Sequence, residues 1–127
     1  MNIARSSHGS CATASTAFVF CGNANEGGTN SCEYISSSGS YEQRRWRAFT
    51  VQGLGPKSDL LVANVNDSRI LIAGGVFKSD GVVIDAETRK VAGTFEDGSF
   101  NFQFIGNQCT VTDFGRIAFV AKDNASN

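Results

Sequence analysis

The 127-residue sequence predicts an all-β fold of short antiparallel strands with almost no helix, and three observations carry that prediction. Composition is the first. Fourteen Gly with a single Pro, scarce Leu and frequent Phe, Val, Thr and Ser favour strands joined by tight turns over helices. Alternation is the second: Phe100, Phe102 and Phe104 interleave with Asn101 and Gln103, the period of two expected of a half-buried strand. Recurrence is the third. Apolar runs around Phe18, Ile70 and Ile117 lie 52 and then 47 residues apart, and a period near 50 residues points to the sheets of a β-propeller.

The stretch 69–91, RILIAGGVFKSDGVVIDAETRKV, sets the pattern. Ile70, Leu71, Ile72 and Ala73 stop at Gly74 and Gly75, which supply backbone conformations that a β-carbon would resist. The chain then crosses a polar turn and resumes at Val82, Val83 and Ile84. In order along the chain, residues 1–9 are small and polar and read as a loose lead-in. Strands over 11–13, 17–22, 31–35 and 45–51 make a first four-stranded sheet, with a Gly- and Asn-rich loop at 23–30. Residues 52–58, holding Pro56, are the clearest break. A second sheet follows with strands over 59–65, 69–74, 81–85 and 90–95, its first hairpin turning at Asn66, Asp67 and Ser68. The alternating phenylalanines, a strand over 108–113 and another over 116–121 begin a third unit, for ten or eleven strands in all.

Charge and hydropathy narrow the functional classes. A formal net charge of −1 with dispersed Lys and Arg gives no electrostatic footprint for nucleic acid or an anionic membrane. No apolar stretch approaches the roughly 20 residues that span a bilayer, and the N-terminus lacks the apolar centre of a signal peptide. The expectation is a soluble, cytoplasmic protein. In that compartment Cys11, Cys21, Cys32 and Cys109 are expected as reduced, structural thiols, with Cys21 a small hydrophobe in a buried strand.

The units resemble kelch repeats, the blades of galactose-oxidase-like propellers. In that family the second strand ends in Gly-Gly, the third in an aromatic followed by Asp, and a Trp follows seven residues after the aromatic. Here the second unit has Gly74 and Gly75, then Ile84 and Asp85 in the aromatic-Asp place, then Val91 in the Trp place. In the first unit Cys21 and Gly22 stand for the double glycine, and the aromatics are kept as Tyr34 and Trp46. The third keeps its apolar run from Ile117, with Ala121 and Lys122 in place of the glycines. The resemblance implies a kelch-like β-propeller segment of antiparallel four-stranded blades: repeats at 10–51 and 59–95 and a partial repeat at 100–121. Propellers close with about four to eight blades, so further repeats or further copies of the chain are expected to complete the ring.

Candidates for chemistry are few. His8 is the single histidine and reads as an exposed bystander in the lead-in. Copper oxidases resembling this family use two Tyr and two His, which the chain cannot supply. The spacings of His8, Cys11, Cys21 and Cys32 do not match paired zinc knuckles, so no metal and no cofactor are expected. Arg44, Arg45 and Arg47 around Trp46 read as a solvated face, with Trp46 between adjacent sheets. Asp80, Asp85, Asp97 and Asp113 fall at turns, where carboxylates bond the local backbone.

The resulting expectation is a non-enzymatic protein-binding or scaffolding module that recognises a protein partner through propeller rim loops at 23–30, 53–58, 77–80 and 96–99. Asn25, Glu26, Lys78 and Asp80 are the candidate contacts. The alternatives are a carbohydrate-binding or carbohydrate-directed fragment of galactose-oxidase-like type, and a remnant of a longer kelch protein.

Overall fold

A computed structural model describes residues 1–24, 27–76 and 80–95 with their side chains, and residues 102–111 and 117–123 as strand backbone. The described chain is all-β apart from one short 3-10 turn at Tyr41–Gln43. Strands β1 (Gly9–Ala12) and β2 (Thr16–Phe20) are followed by a two-residue ladder of β3 (Asn23–Ala24) with β4 (Gly27–Gly28), then β5 (Cys32–Ser36) and β6 (Arg47–Phe49). β1, β2, β5 and β6 form one antiparallel four-stranded sheet in that order. β7 (Leu61–Asn66), β8 (Arg69–Ala73), β9 (Gly81–Asp85) and β10 (Val91–Phe95) form a second, also laid down in chain order. β11 (Phe102–Val111) pairs with β12 (Ile117–Asp123).

Burial along β2 and β8 is continuous, with Val19 and Leu71 enclosed as well, so both faces of these strands are covered. Phe18 and Phe20 on β2, Ile70 and Ile72 on β8, and Val82 and Ile84 on β9 lie two apart, so each pair shares a face. Those faces meet in a single core with Leu60, Val62, Cys21 and Cys32. Phe49 packs edge-on against Phe20 at 5.9 Å and against Tyr34 at 5.7 Å, geometries favoured by the ring quadrupole. Arg89, in the β9–β10 turn, places its guanidinium 4.2 Å over the Tyr34 ring and so ties the second sheet to the first. The first strands of the units come together, β1 beside β7 and β7 beside β11. Asn64 Nδ2 donates to the Ala12 carbonyl at 3.0 Å across the first of these seams, and a β-carbon on Gly9 would run into the Val62 side chain.

Four sequence expectations change. The lead-in is not loose: Ser6 and Asn23 exchange backbone hydrogen bonds of 3.0 and 2.7 Å, and β1 starts at Gly9 rather than at residue 11. His8 is not exposed; it is half-buried with its Nδ1 fully enclosed. Trp46 precedes β6 and lies outside the core cluster, and Phe49, three residues on, supplies the aromatic there instead. The two strands expected within 100–113 are one strand, β11, whose pairing with β12 shifts register between Phe104 and Cys109. That shift is where the sequence alternation breaks.

Candidate functional site

One end of the two sheets gathers most of the buried chemistry, and its geometry begins with a backbone device used twice. β2 ends in Cys21 and Gly22 with φ of 56° and 94°, and β8 ends in Gly74 and Gly75 with φ of 69° and 111°. Both are left-handed pairs that turn the chain out of the sheet. The Cys21 amide donates to Ser31 O at 3.0 Å, and the Gly74 amide donates to Asp80 O at 3.1 Å, so each turn closes on the residue just before the third strand. The expected role of Gly74 and Gly75 holds. At Gly75 a β-carbon would also sit 2.9 Å from Ser58 O.

A buried cation completes each turn. Arg5 Nη1 donates to Cys21 O at 2.9 Å and to Ser31 O at 2.8 Å. Lys57 Nζ donates to Gly74 O at 3.0 Å and to Asp80 O at 3.4 Å, the matching carbonyls of the second sheet. Arg5 stands four residues ahead of β1, and Lys57 four ahead of β7. Each cation has an acid: Arg5 Nη2 lies 2.9 Å from Glu33, both side chains at 0% exposure, and Lys57 Nζ lies 2.7 Å from Asp80, at 1% and 35%. The Cys21 and Gly74 carbonyls thereby gain buried donors, Ser31 O and Asp80 O gain a second one, and each cation has the partner that makes its burial tolerable.

Glu33 is also bound from the lead-in, accepting from the Asn2 amide at 2.6 Å and the Ile3 amide at 3.3 Å. Burial works to raise its carboxyl pKa, but these donors and Arg5 prevail and hold it below the usual carboxylate range. Burial lowers the His8 pKa, and the nearby Arg5 charge lowers it further.

Cys21 and Cys32 are both fully buried in one core cluster. The single S–H of Cys32 has two acceptors in reach, Asn30 O at 3.6 Å and the Cys21 sulfur. Donation to the Cys21 sulfur lowers the Cys21 pKa, with burial opposing and the charges of Lys57 and Arg5 assisting. The same contact, together with burial, raises the Cys32 thiol. Neither residue is in a disulfide. Among the described residues no group of three or more His, Cys, Asp and Glu side chains gathers as a metal site.

Of the four candidate contact residues, Asp80 sits at this end, held by Lys57, while Asn25, Glu26 and Lys78 lie outside the described residues. Asp97 and Asp113 lie outside them as well. Asp85 behaves as a turn carboxylate: Thr88 and Glu87 amides each donate to its Oδ1 at 2.9 Å, and the Thr88 bond leads in lowering its pKa. Gly22, Gly74, Val76 and Asp80 all bond Lys57 or Ser58, the Lys57 carbonyl accepting from the Gly22 amide at 2.7 Å. A cavity of about 630 Å³ opens beside them, with Asn2, Ala4, Gly28 and Thr29 in its walls.

Sequence reasoning does not single out Arg5, Glu33 or Lys57 as site residues. A signal is present all the same: Arg5 and Lys57 are 52 residues apart, the interval that separates Phe18 from Ile70. No helix among the described residues is long and apolar enough to cross a membrane. Comparison with protein-family models and with curated proteins finds no match.

Proposed function

We propose that the chain is a kelch-like propeller segment working as a protein-binding or scaffolding module, with the end built around Arg5 and Lys57 as its recognition rim. The observation that carries this reading is the repeated cation clamp. The ends of two connecting loops, Cys21 with Ser31 and Gly74 with Asp80, are fastened to their sheets by equivalent buried charges, so each loop starts from a rigid base. The propeller reading is supported by two sheets of identical strand order and by the meeting of β1, β7 and β11, as inner strands meet around a propeller axis. Further sheets, from adjoining repeats or from other copies, complete the ring in this reading.

The test is affinity capture with quantitative mass spectrometry. It compares the unaltered protein with a rim variant, Asn23→Lys with Thr29→Lys, that leaves the cations and cysteines in place. Loss of a defined protein partner from the variant alone supports rim recognition. Equal recovery from both proteins removes the rim from the reading, and reproducible sugar binding on a glycan array replaces the protein partner with a carbohydrate.

A further inference from the structure

The turn formed by Cys21 and Gly22 is the counterpart of the turn formed by Gly74 and Gly75, and the comparison isolates what the first sheet adds. Cys21 takes φ 56°, a left-handed conformation that glycine enters freely and that a residue with a β-carbon resists. The second sheet builds the same turn with Gly74, and the first residue of its third strand is Gly81 where the first sheet has Cys32. The architecture therefore does not require a sulfur at either place. Both cysteines are nonetheless present, enclosed at 0% exposure in one core cluster and near enough for their sulfurs to hydrogen-bond.

We propose that Cys21 and Cys32 are a thiol–disulfide site, in which a peroxide oxidises Cys21 and Cys32 then closes a reversible disulfide. The geometry allows the bond. Phe20 lies opposite Cys32 and the Cys21 amide donates to Ser31 O, so Cys21 and Cys32 are diagonal neighbours on adjacent strands, about 6 Å apart by strand spacing and rise. Disulfides need Cα separations of about 4.4–6.8 Å. In the first step the Cys21 thiolate attacks one oxygen of hydrogen peroxide: an S–O bond forms, the O–O bond breaks and hydroxide leaves. In the second, the Cys32 sulfur attacks the sulfenic sulfur: the S–S bond forms, the S–O bond breaks, and the departing hydroxide leaves as water with the Cys32 proton. Two thiols and one peroxide give one disulfide and two waters.

Charge fits that order. The hydrogen bond from Cys32 favours the anion at Cys21, assisted by the Lys57 and Arg5 charges, while the Cys32 thiol is held protonated by the same contact and by burial. The cavity beside the rim has Ala4 and Thr29 in its walls, the sequence neighbours of Arg5, which binds Cys21 O, and of Asn30, which accepts from Cys32. The bond would also close the loop 22–31 covalently, fixing one of the rim loops.

The test reads sulfur directly and does not depend on whether the rim binds a partner. The folded, reduced protein is treated with hydrogen peroxide, quenched with an alkylating reagent and mapped by peptide mass spectrometry. The expected product is a cross-linked peptide joining Cys21 to Cys32, one per chain, lost on treatment with dithiothreitol. In Cys32→Ser, Cys21 is expected to be trapped by dimedone as the sulfenic acid, and Cys11→Ser should leave the cross-link unchanged. Recovery of Cys21 and Cys32 as alkylatable thiols under peroxide that oxidises Cys11 overturns the proposal. So does a cross-link that joins other cysteines instead. The mapping of the unaltered protein decides the matter even where a substitution prevents folding.

Discussion

Glu33 is the residue on which the most separate parts of the chain depend. It receives two amides from the lead-in and the guanidinium of Arg5, and its side chain and that of Arg5 are closed to solvent. Glu33→Ala would leave the Arg5 charge buried without its acid, and removal of one partner of such a pair costs about 3–5 kcal/mol. Chemical denaturation should show that loss as a lower midpoint with an unchanged slope. Lys57→Met is expected to be milder, about 1–3 kcal/mol, because Asp80 reaches solvent when its partner is removed and the principal penalty falls on the Gly74 carbonyl. A Lys57→Met protein as stable as the unaltered chain would show that the second clamp contributes nothing.

The titrating residues also set a pH dependence. Glu33 has its folded pKa held below the ordinary 4.5, so its stabilisation is complete above that value and is lost as pH falls through the lowered one. His8 has its folded pKa held below the ordinary 6.5, so the unfolded chain takes up the proton first and stability declines as pH drops below 6.5. Denaturant midpoints between about pH 8 and about pH 3 should therefore fall in two stages. His8→Gln is expected to remove the upper stage and leave the lower one, and an upper stage that persists in that variant would assign it to another group.

Among the elements, the seam between β1 and β7 is fixed by the absence of a side chain. Gly9 is buried where an added β-carbon meets Val62, which is itself enclosed by the core. Gly9→Ala should lower stability by about 1–3 kcal/mol through overpacking, read as a fall in thermal midpoint. An unchanged midpoint would mean that the strands separate readily. β2 and β8 are legible in the sequence because the continuous apolar runs from Ala17 to Phe20 and from Ile70 to Ala73 stop at turn residues. β6 is not. Its aromatic at Phe49 competes with Trp46 in the sequence, and which of the two packs inward depends on the register with β5, where Phe49 lies opposite Cys32.

For the assembled protein, the decisive quantity is how many sheets come together. β6 and β10 are the outer strands of their sheets, and β10 carries the exposed Phe95, so both are edges of the kind that pair with other strands. Light scattering after size exclusion is expected to show a closed oligomer of one size if copies of the chain complete a ring. Broad aggregation that grows with concentration would instead speak against a ring closed by copies of this chain alone. A monomer at every concentration would remove the ring.

The strands, their turns and the near-50-residue recurrence can be read from the order of residues, because strand periodicity and glycine turns are local properties that neighbours along the chain dictate. Two four-stranded units are visible at that level, and so is the 52-residue interval between Arg5 and Lys57. Packing in three dimensions was needed to show that these two cations are buried, which carbonyls they hold, and that residues 1–8 form one wall of the site rather than a free tail. It also brought Cys21 against Cys32. A charged residue near the start of a chain carries no local mark of burial, since its fate depends on a carboxylate such as Glu33, 28 residues away, meeting it after the sheets have packed.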